Sequence, residues 1–269
     1  MSEQIVELPS PSPDWRFSYG PDPLHFGDLR LPAGAGPFPT VIVIHGGFWR
    51  MRYDLSSIGH LAAALTARGL ATWTIEYRRV GHVTGGWPYT LLDVAAAADH
   101  LRVLATEYPL DSERVIALGH SAGGHLALWL AARSRVGHTS PLHAPNPIPL
   151  LGAVSLGGVA DLRAAWRLRL GNGAVEEFMG GAPDAYRDRY AVASPAEMLP
   201  LGVPQVLIHG VLDEPVPFTI AENYCDLALG LQDPVRLVAL EGMGHFEPID
   251  PTSEAWPFVE EAVSNLAWK

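Results

Sequence analysis

A single cysteine, Cys225, leaves no partner for an intrachain disulfide, and such sparing use suits a reducing compartment. Basic residues are scarce as well. The 18 Lys and Arg stand against 29 Asp and Glu, for a formal net charge of −11, which favours solubility and argues against general affinity for nucleic acid or an anionic membrane. The stretch from Met1 to Trp15 holds acidic residues and prolines but no apolar run, so it reads as lacking a secretory signal. Apolar runs elsewhere are too short or too interrupted to span a bilayer, and a soluble, cytoplasmic protein is the expectation. No His-Glu-x-x-His pattern and no cysteine cluster offers a metal site. No Gly-x-Gly-x-x-Gly stretch follows the first strands, which weakens a dinucleotide reading. What the chain does hold is apolar material, 48% hydrophobic against 17% charged, enough for a well-buried core.

The apolar residues are patterned as alternating strands and helices. Thr40–His45 is a β-branched run ending at glycines, the composition of a strand buried on both faces. Ala71–Glu76, Val115–Leu118, Gly152–Leu156, Gln205–His209 and Val235–Leu240 read as further strands, with two short ones around Arg16–Tyr19 and His25–Leu31. Helical spacing predicts helices over Ser56–Arg68, Tyr89–Tyr108, Ser121–Arg133, Pro217–Leu229 and Glu254–Ala267. This alternation argues for a mostly parallel sheet covered by helices on both faces. We read residues 1–269 as one domain. Arg133–Leu150, with four prolines, reads as loop. Asp161–Met198 is a mixed insertion carrying Trp166, Phe178, Met179, Tyr186 and Tyr190, expected to form a small lid over the sheet edge.

The sharpest local signal is Gly119-His120-Ser121-Ala122-Gly123, placed between a buried strand and a helix. A serine on such a tight turn is a nucleophile elbow: small neighbours let the turn close, and the hydroxyl is held out above the helix N-terminus. A serine hydroxyl needs a base. His245, in the glycine-flanked loop Gly242-Met-Gly-His-Phe246 after the last strand, lies at the same end of the sheet and is the candidate. Asp213, just past the preceding strand, is the candidate acid to orient it; Glu214 and Asp161 are its rivals. After the first long strand comes His45-Gly46-Gly47-Phe48-Trp49. There the N–H groups of Gly47 and Phe48, with that of Ala122, are expected to form an oxyanion hole, while His45 braces the loop. Phe48 and Trp49 are expected to line an apolar substrate pocket. Arg50 and Arg52 follow them and read as solvated, with contact to a substrate carboxylate as the alternative. His120 reads as packing beside the elbow, His125 as a structural histidine, and His138 and His143 as solvated.

With these motifs in place, the chain resembles the α/β-hydrolase superfamily from about residue 20 onward. HGGFW together with GHSAGG resembles the branch that holds arylformamidases (kynurenine formamidases) and carboxylesterases related to hormone-sensitive lipase. The resemblance implies an α/β-hydrolase fold with a central, twisted, mostly parallel sheet, a Ser121–Asp213–His245 triad and no cofactor. Formamidases often show Tyr where Phe48 stands, so the leading expectation is a carboxylesterase acting on small esters through an acyl-enzyme. An arylformamidase acting on N-formylkynurenine-like amides is the second. A non-catalytic ligand-binding receptor on the same fold is the alternative from another class. A small ester or amide is the expected partner. The oligomeric state is left open, a homodimer being one candidate.

Overall fold

The computed structural model describes residues 2–268. Its strands are β1 (Trp15–Ser18), β2 (Phe26–Arg30), β3 (Phe38–Ile44), β4 (Ala71–Ile75), β5 (Leu110–His120), β6 (Gly152–Leu156), β7 (Gln205–Gly210) and β8 (Val235–Leu240). They form one sheet in the order β1-β2-β4-β3-β5-β6-β7-β8. The first two pairings are antiparallel, β1 with β2 and β2 with β4, and every pairing from β4 across to β8 is parallel. The helices are α1 (Gly59–Thr66), α2 (Tyr89–Asp99), α3 (Leu101–Leu104), α4 (Ala122–Ala132), α5 (Leu162–Arg167), α6 (Leu170–Met179), α7 (Arg187–Ala193), α8 (Pro195–Met198), α9 (Thr219–Gly230) and α10 (Trp256–Ala267).

The β-branched run of β3 shows why the sheet is central. Ile42 and Ile44 face a core built with α2, α4 and α9, whereas Val41 and Val43 face a second core built with α1 and α10. All four are fully buried. A strand whose alternate side chains both meet helices has no polar face to present, hence the unbroken apolar run. Among the described residues, no helix is long and apolar enough to cross a membrane.

Three expected elements differ in detail. The helix expected over Tyr89–Tyr108 breaks at His100 into α2 and α3. Strand β5 starts five residues before Val115, because Leu110 and Asp111 pair with Phe38 and Pro39 ahead of a register shift at Pro39/Thr40. The first turn of the Ser56–Arg68 helix is a 3₁₀ turn, Leu55–Ile58, capped by the Asp54 side chain on the Ser56 N–H.

Segment 161–198 carries α5 to α8, and its large side chains are not a surface decoration. Phe178, Met179 and Tyr190 are fully buried in the core that contains Trp73 and Trp129. The Trp129 indole donates to the Val192 carbonyl at 3.0 Å, and Trp87 N–H donates to the Phe178 carbonyl at 2.7 Å. The segment is thereby stitched to α4 and to the start of α2.

Candidate active site

Strand β5 ends at His120 and α4 begins at Ala122, so Ser121 alone makes the turn between them. It adopts φ 56° and ψ −118°, a left-handed backbone that costs a residue with a side chain about 1–3 kcal/mol and persists only where its surroundings enforce it. The enforcement is visible. Ser121 N–H donates to the Leu156 carbonyl on β6 at 2.8 Å, and its own carbonyl accepts from His125 N–H at 3.2 Å. The flanking glycines allow the close approach. A Cβ on Gly119 would lie 2.0 Å from the Gly123 carbonyl oxygen, and one on Gly123 would lie 2.1 Å from that of Ile44.

The loop after β3 abuts this turn, for a Cβ built on Gly46 would sit 3.0 Å from Ser121 Cβ. Gly47, Phe48 and Trp49 follow with φ of 107°, 51° and 56°. Among the described residues, the N–H groups of Gly47, Phe48 and Ala122 donate to no protein acceptor, the condition in which donors are available to a ligand. The loop is held from behind. His45 Nε2 lies 3.2 Å from Glu76 Oε1, its ring stacks on Tyr77 at 4.4 Å, and the Tyr77 hydroxyl donates to the His45 carbonyl at 2.7 Å. Burial alone would raise the Glu76 carboxyl, but His45 and Arg79 beside it hold it below its ordinary value. The Glu76 carboxylate therefore stays ionised at neutral pH.

Asp213 and His245 meet although they leave different strands. The His245 Nδ1–H donates to Asp213 Oδ2 at 2.6 Å, which leaves Nε2 as the acceptor on the free edge of the ring. Asp213 has two more partners: Oδ1 accepts from Val216 N–H at 2.8 Å, and His209 Nε2 stands 3.2 Å from Oδ2. Burial pushes the Asp213 carboxyl up, yet the hydrogen bonds from His209 and His245 outweigh it and hold the group at about 2. His120 supports the other end. Its Nε2–H donates to the His245 carbonyl at 2.9 Å with the two rings 4.6 Å apart. Burial, then the neighbouring His245, lowers the His120 imidazole to about 3, so it is neutral there.

Ser121, His120 and His245 line one cavity of about 280 Å³ with Gly46, Gly47 and Phe48. No hydrogen bond joins Ser121 to His245 among the described residues; contacts of this kind commonly tighten only when substrate fills a site. Tyr53, Asn172 and Phe246 complete much of the wall, and Val6 reaches it from the N-terminal turn Ser2–Glu7.

Trp49 is a correction. Expected against substrate, it is fully buried and absent from the cavity wall. Its ring stacks on Phe178 at 4.6 Å and its indole N–H donates to His125 Nδ1 at 3.2 Å. An aromatic one residue beyond the loop turns back into the core and anchors the loop instead. His125 passes that anchor on, donating from Nε2 to the Ala193 carbonyl at 2.8 Å, and burial lowers its imidazole to about 4. Of the rival acids, Asp161 caps α5 by accepting from the N–H groups of Arg163 and Ala164, and Glu214 is exposed. Arg50 is not free either: Nε pairs with Glu177 Oε2 at 2.7 Å and Nη1 donates to the Gly171 carbonyl at 2.6 Å. His138 is exposed and His143 half-buried on the proline loop, close to the solvated reading, and the two also contact each other at 2.9 Å. Sequence reasoning missed His209, whose signal was a histidine closing a buried strand four residues ahead of the acid. It also missed Val6, Tyr53 and Asn172, which reach the wall from distant segments.

Residues 28–225, well over half the chain, match the BD-FAE family model. The chain belongs to the BD-FAE family. Among curated proteins this BD-FAE chain is similar to esterase LipC of Mycobacterium tuberculosis, at 27% identity over 258 residues, covering 89% of this chain and 62% of LipC. It spans about three-fifths or less of the length of the curated relatives it matches. A truncated carbohydrate esterase from gut microbiota shares its fold with a TM-score of 0.81 at 20% identity, covering 97% of this chain and 99% of that one. Propionate-bound esterase 2 of Thermogutta terrifontis does so with a TM-score of 0.75 at 21% identity, covering 93% and 92%. The fold is that of the α/β-hydrolases, and the BD-FAE chain falls within their esterase superfamily.

Proposed function

We propose that this protein is a serine carboxylesterase that cleaves small esters. The observation that carries the reading is the convergence at one cavity of a strained Ser121, unpartnered amides beside it, and a His245 whose Nδ1–H is held by Asp213. The Ser121 oxygen attacks the ester carbonyl carbon as its proton passes to His245 Nε2. Asp213 keeps the ring in the tautomer that can accept there and stabilises the imidazolium that results. The carbonyl oxygen, now bearing the negative charge, takes hydrogen bonds from Gly47, Phe48 and Ala122; loss of one such donor typically costs a hydrolase about 10²–10³ in rate. His245 returns the proton to the departing alkoxide, leaving an acyl ester on Ser121. Water, deprotonated by the same ring, then releases the carboxylic acid.

The esterase names of the relatives support an ester over a formamide, and the modest, largely apolar cavity suits short acyl chains. Segment 161–198 serves in this reading as the lid, since Gly171 and Asn172 stand on the cavity wall. Labelling with a fluorophosphonate followed by peptide mass spectrometry tests the proposal: the adduct is expected on Ser121, and Ser121→Ala is expected to lose about 10⁴-fold or more in turnover. Folded protein that takes no label, or takes it elsewhere, refutes it. p-Nitrophenyl acetate and butyrate should exceed both the octanoate and N-formylkynurenine; a dominant formamide rate reverses the order of the two enzymatic readings.

A further inference from the structure

The cavity around Ser121 is unevenly charged. None of the side chains on its wall is a carboxylate, and two, Arg50 and Arg52, are guanidinium groups. The Arg50 charge is consumed by Glu177 and the Gly171 carbonyl. Arg52 is different. It is exposed at the cavity, and its partner among the described residues is the ring of Tyr53, 5.1 Å from the guanidinium carbon. Most other arginines here are matched to acids: Arg16 with Asp28, Arg78 with Asp93, Arg114 with Asp111, Arg163 with Glu197. In a chain of formal net charge −11, a cation left without an acid at the mouth of the reactive cavity stands out.

That placement has a chemical meaning. The acidic surface as a whole disfavours an approaching anion, so an anion is held only where a local cation answers it. The Arg52 fork presents several N–H donors in one plane and matches the two oxygens of a carboxylate. Tyr53 connects the site to the reaction: its Cδ2 and Cβ would lie 3.3 and 3.4 Å from a Cβ on Gly47, so Arg52 rests on the residue packed against the amide-bearing loop. An acyl or alcohol group that fills the cavity from Ser121 toward Tyr53 would direct its far end at Arg52.

We propose that Arg52 is a specificity residue that selects esters carrying a carboxylate at the end remote from the scissile bond. The inference rests on the reading of Ser121 as the nucleophile. Two matched pairs test it: p-nitrophenyl hydrogen succinate against p-nitrophenyl butyrate, with the anion on the acyl side, and 4-acetoxybenzoate against its methyl ester, with the anion on the alcohol side. Spontaneous hydrolysis is subtracted in each case. The readout is the ratio of kcat/KM for the anionic member to that for the neutral one. Arg52→Gln should lower this ratio about tenfold for one pair, in line with loss of a hydrogen bond to a charged group. Arg52→Lys should recover part of it, and high salt should lower it in the wild type. The pair that responds identifies which side of the ester carries the anion. Arg167→Gln, which removes an equal charge from the exposed end of α5, should leave the ratio unchanged. A role of Arg52 in folding alone would move both members of a pair together. Ratios that Arg52→Gln leaves unaltered in both pairs, while the wild type hydrolyses the neutral esters, overturn the proposal. Absence of hydrolysis of every ester together with absence of fluorophosphonate labelling overturns the reading of Ser121 instead.

Discussion

Replacing Asp213 by asparagine changes one atom's chemistry and no volume, and the surroundings of the carboxylate dictate the outcome. Oδ1 faces the Val216 N–H at 2.8 Å, while Oδ2 faces His245 Nδ1 at 2.6 Å and His209 Nε2 at 3.2 Å. The new NH₂ must occupy one of these positions. At the Oδ1 position it opposes a backbone donor that cannot change its character. At the Oδ2 position it meets two imidazoles that can adapt. His245 can move its proton to Nε2 and accept at Nδ1, and His209 keeps the Val216 carbonyl, already 2.8 Å away. The second arrangement is therefore favoured, and it places a proton on the nitrogen that should receive one from Ser121. The expected result is a folded enzyme with kcat down by about 10⁴-fold, the loss known for a triad held in the wrong tautomer. Turnover of p-nitrophenyl acetate under saturating conditions measures this, with circular dichroism confirming the fold. Glu214→Gln, at an exposed neighbour, should leave turnover near wild type. An Asp213→Asn enzyme within tenfold of the wild type would refute the reasoning.

Asp213 also carries a pH signature. Its folded value of about 2 lies below the ordinary 3.8, and the side chain is fully buried. The anion thus contributes about 2 kcal/mol of stability, present in full above pH 4 and lost as pH falls toward 2. Urea titrations across that window should show the loss in wild type and a flatter profile in Asp213→Asn. Trp49→Ala should cost about 3–5 kcal/mol by emptying the space against Phe178, and lower Tm by about 10 °C. Trp49→Phe should keep most of the stack, lose the bond to His125 and part of the buried volume, and cost about 1–2 kcal/mol; equal melting of the two variants contradicts the anchor. Asp161→Ala should lower stability by about 1 kcal/mol through loss of the α5 cap, with esterase turnover retained. A collapse of turnover there would return Asp161 to the list of candidate acids.

The parallel sheet was legible because most of its strands are short, largely apolar runs followed within two residues by glycine, β3 having no polar face at all. The placement of the candidates Ser121, Asp213 and His245 at one end of the sheet was legible for a related reason, since each follows the end of such a run within a few residues. What could not be read was anything decided by the direction of a side chain. Trp49 adjoins the amide-bearing loop in sequence, but three successive positive φ values turn it inward. His209 looked like the last residue of a strand, and its bond to Asp213 follows from how the next four residues fold back. Val6 and Asn172 come to the cavity from a terminal turn and from an insertion, so no spacing could have announced them. The helix expected across His100 is interrupted there while its backbone angles stay helical, a lapse in hydrogen bonding that apolar spacing does not report.

The bolt formed by Trp49 and Phe178 has a consequence for anyone who wishes to reshape this molecule. The Gly47 and Phe48 amides belong to the main chain, so short of proline no replacement at their own positions removes them; their steadiness depends on what pins their loop, and the Trp49 ring is one of its supports. A library that enlarges the chamber should therefore vary positions such as Val6 and Asn172, which touch its interior without carrying the loop's tether. Truncating Trp49 or Phe178, neither of which lines the chamber, would instead set its polarising groups adrift.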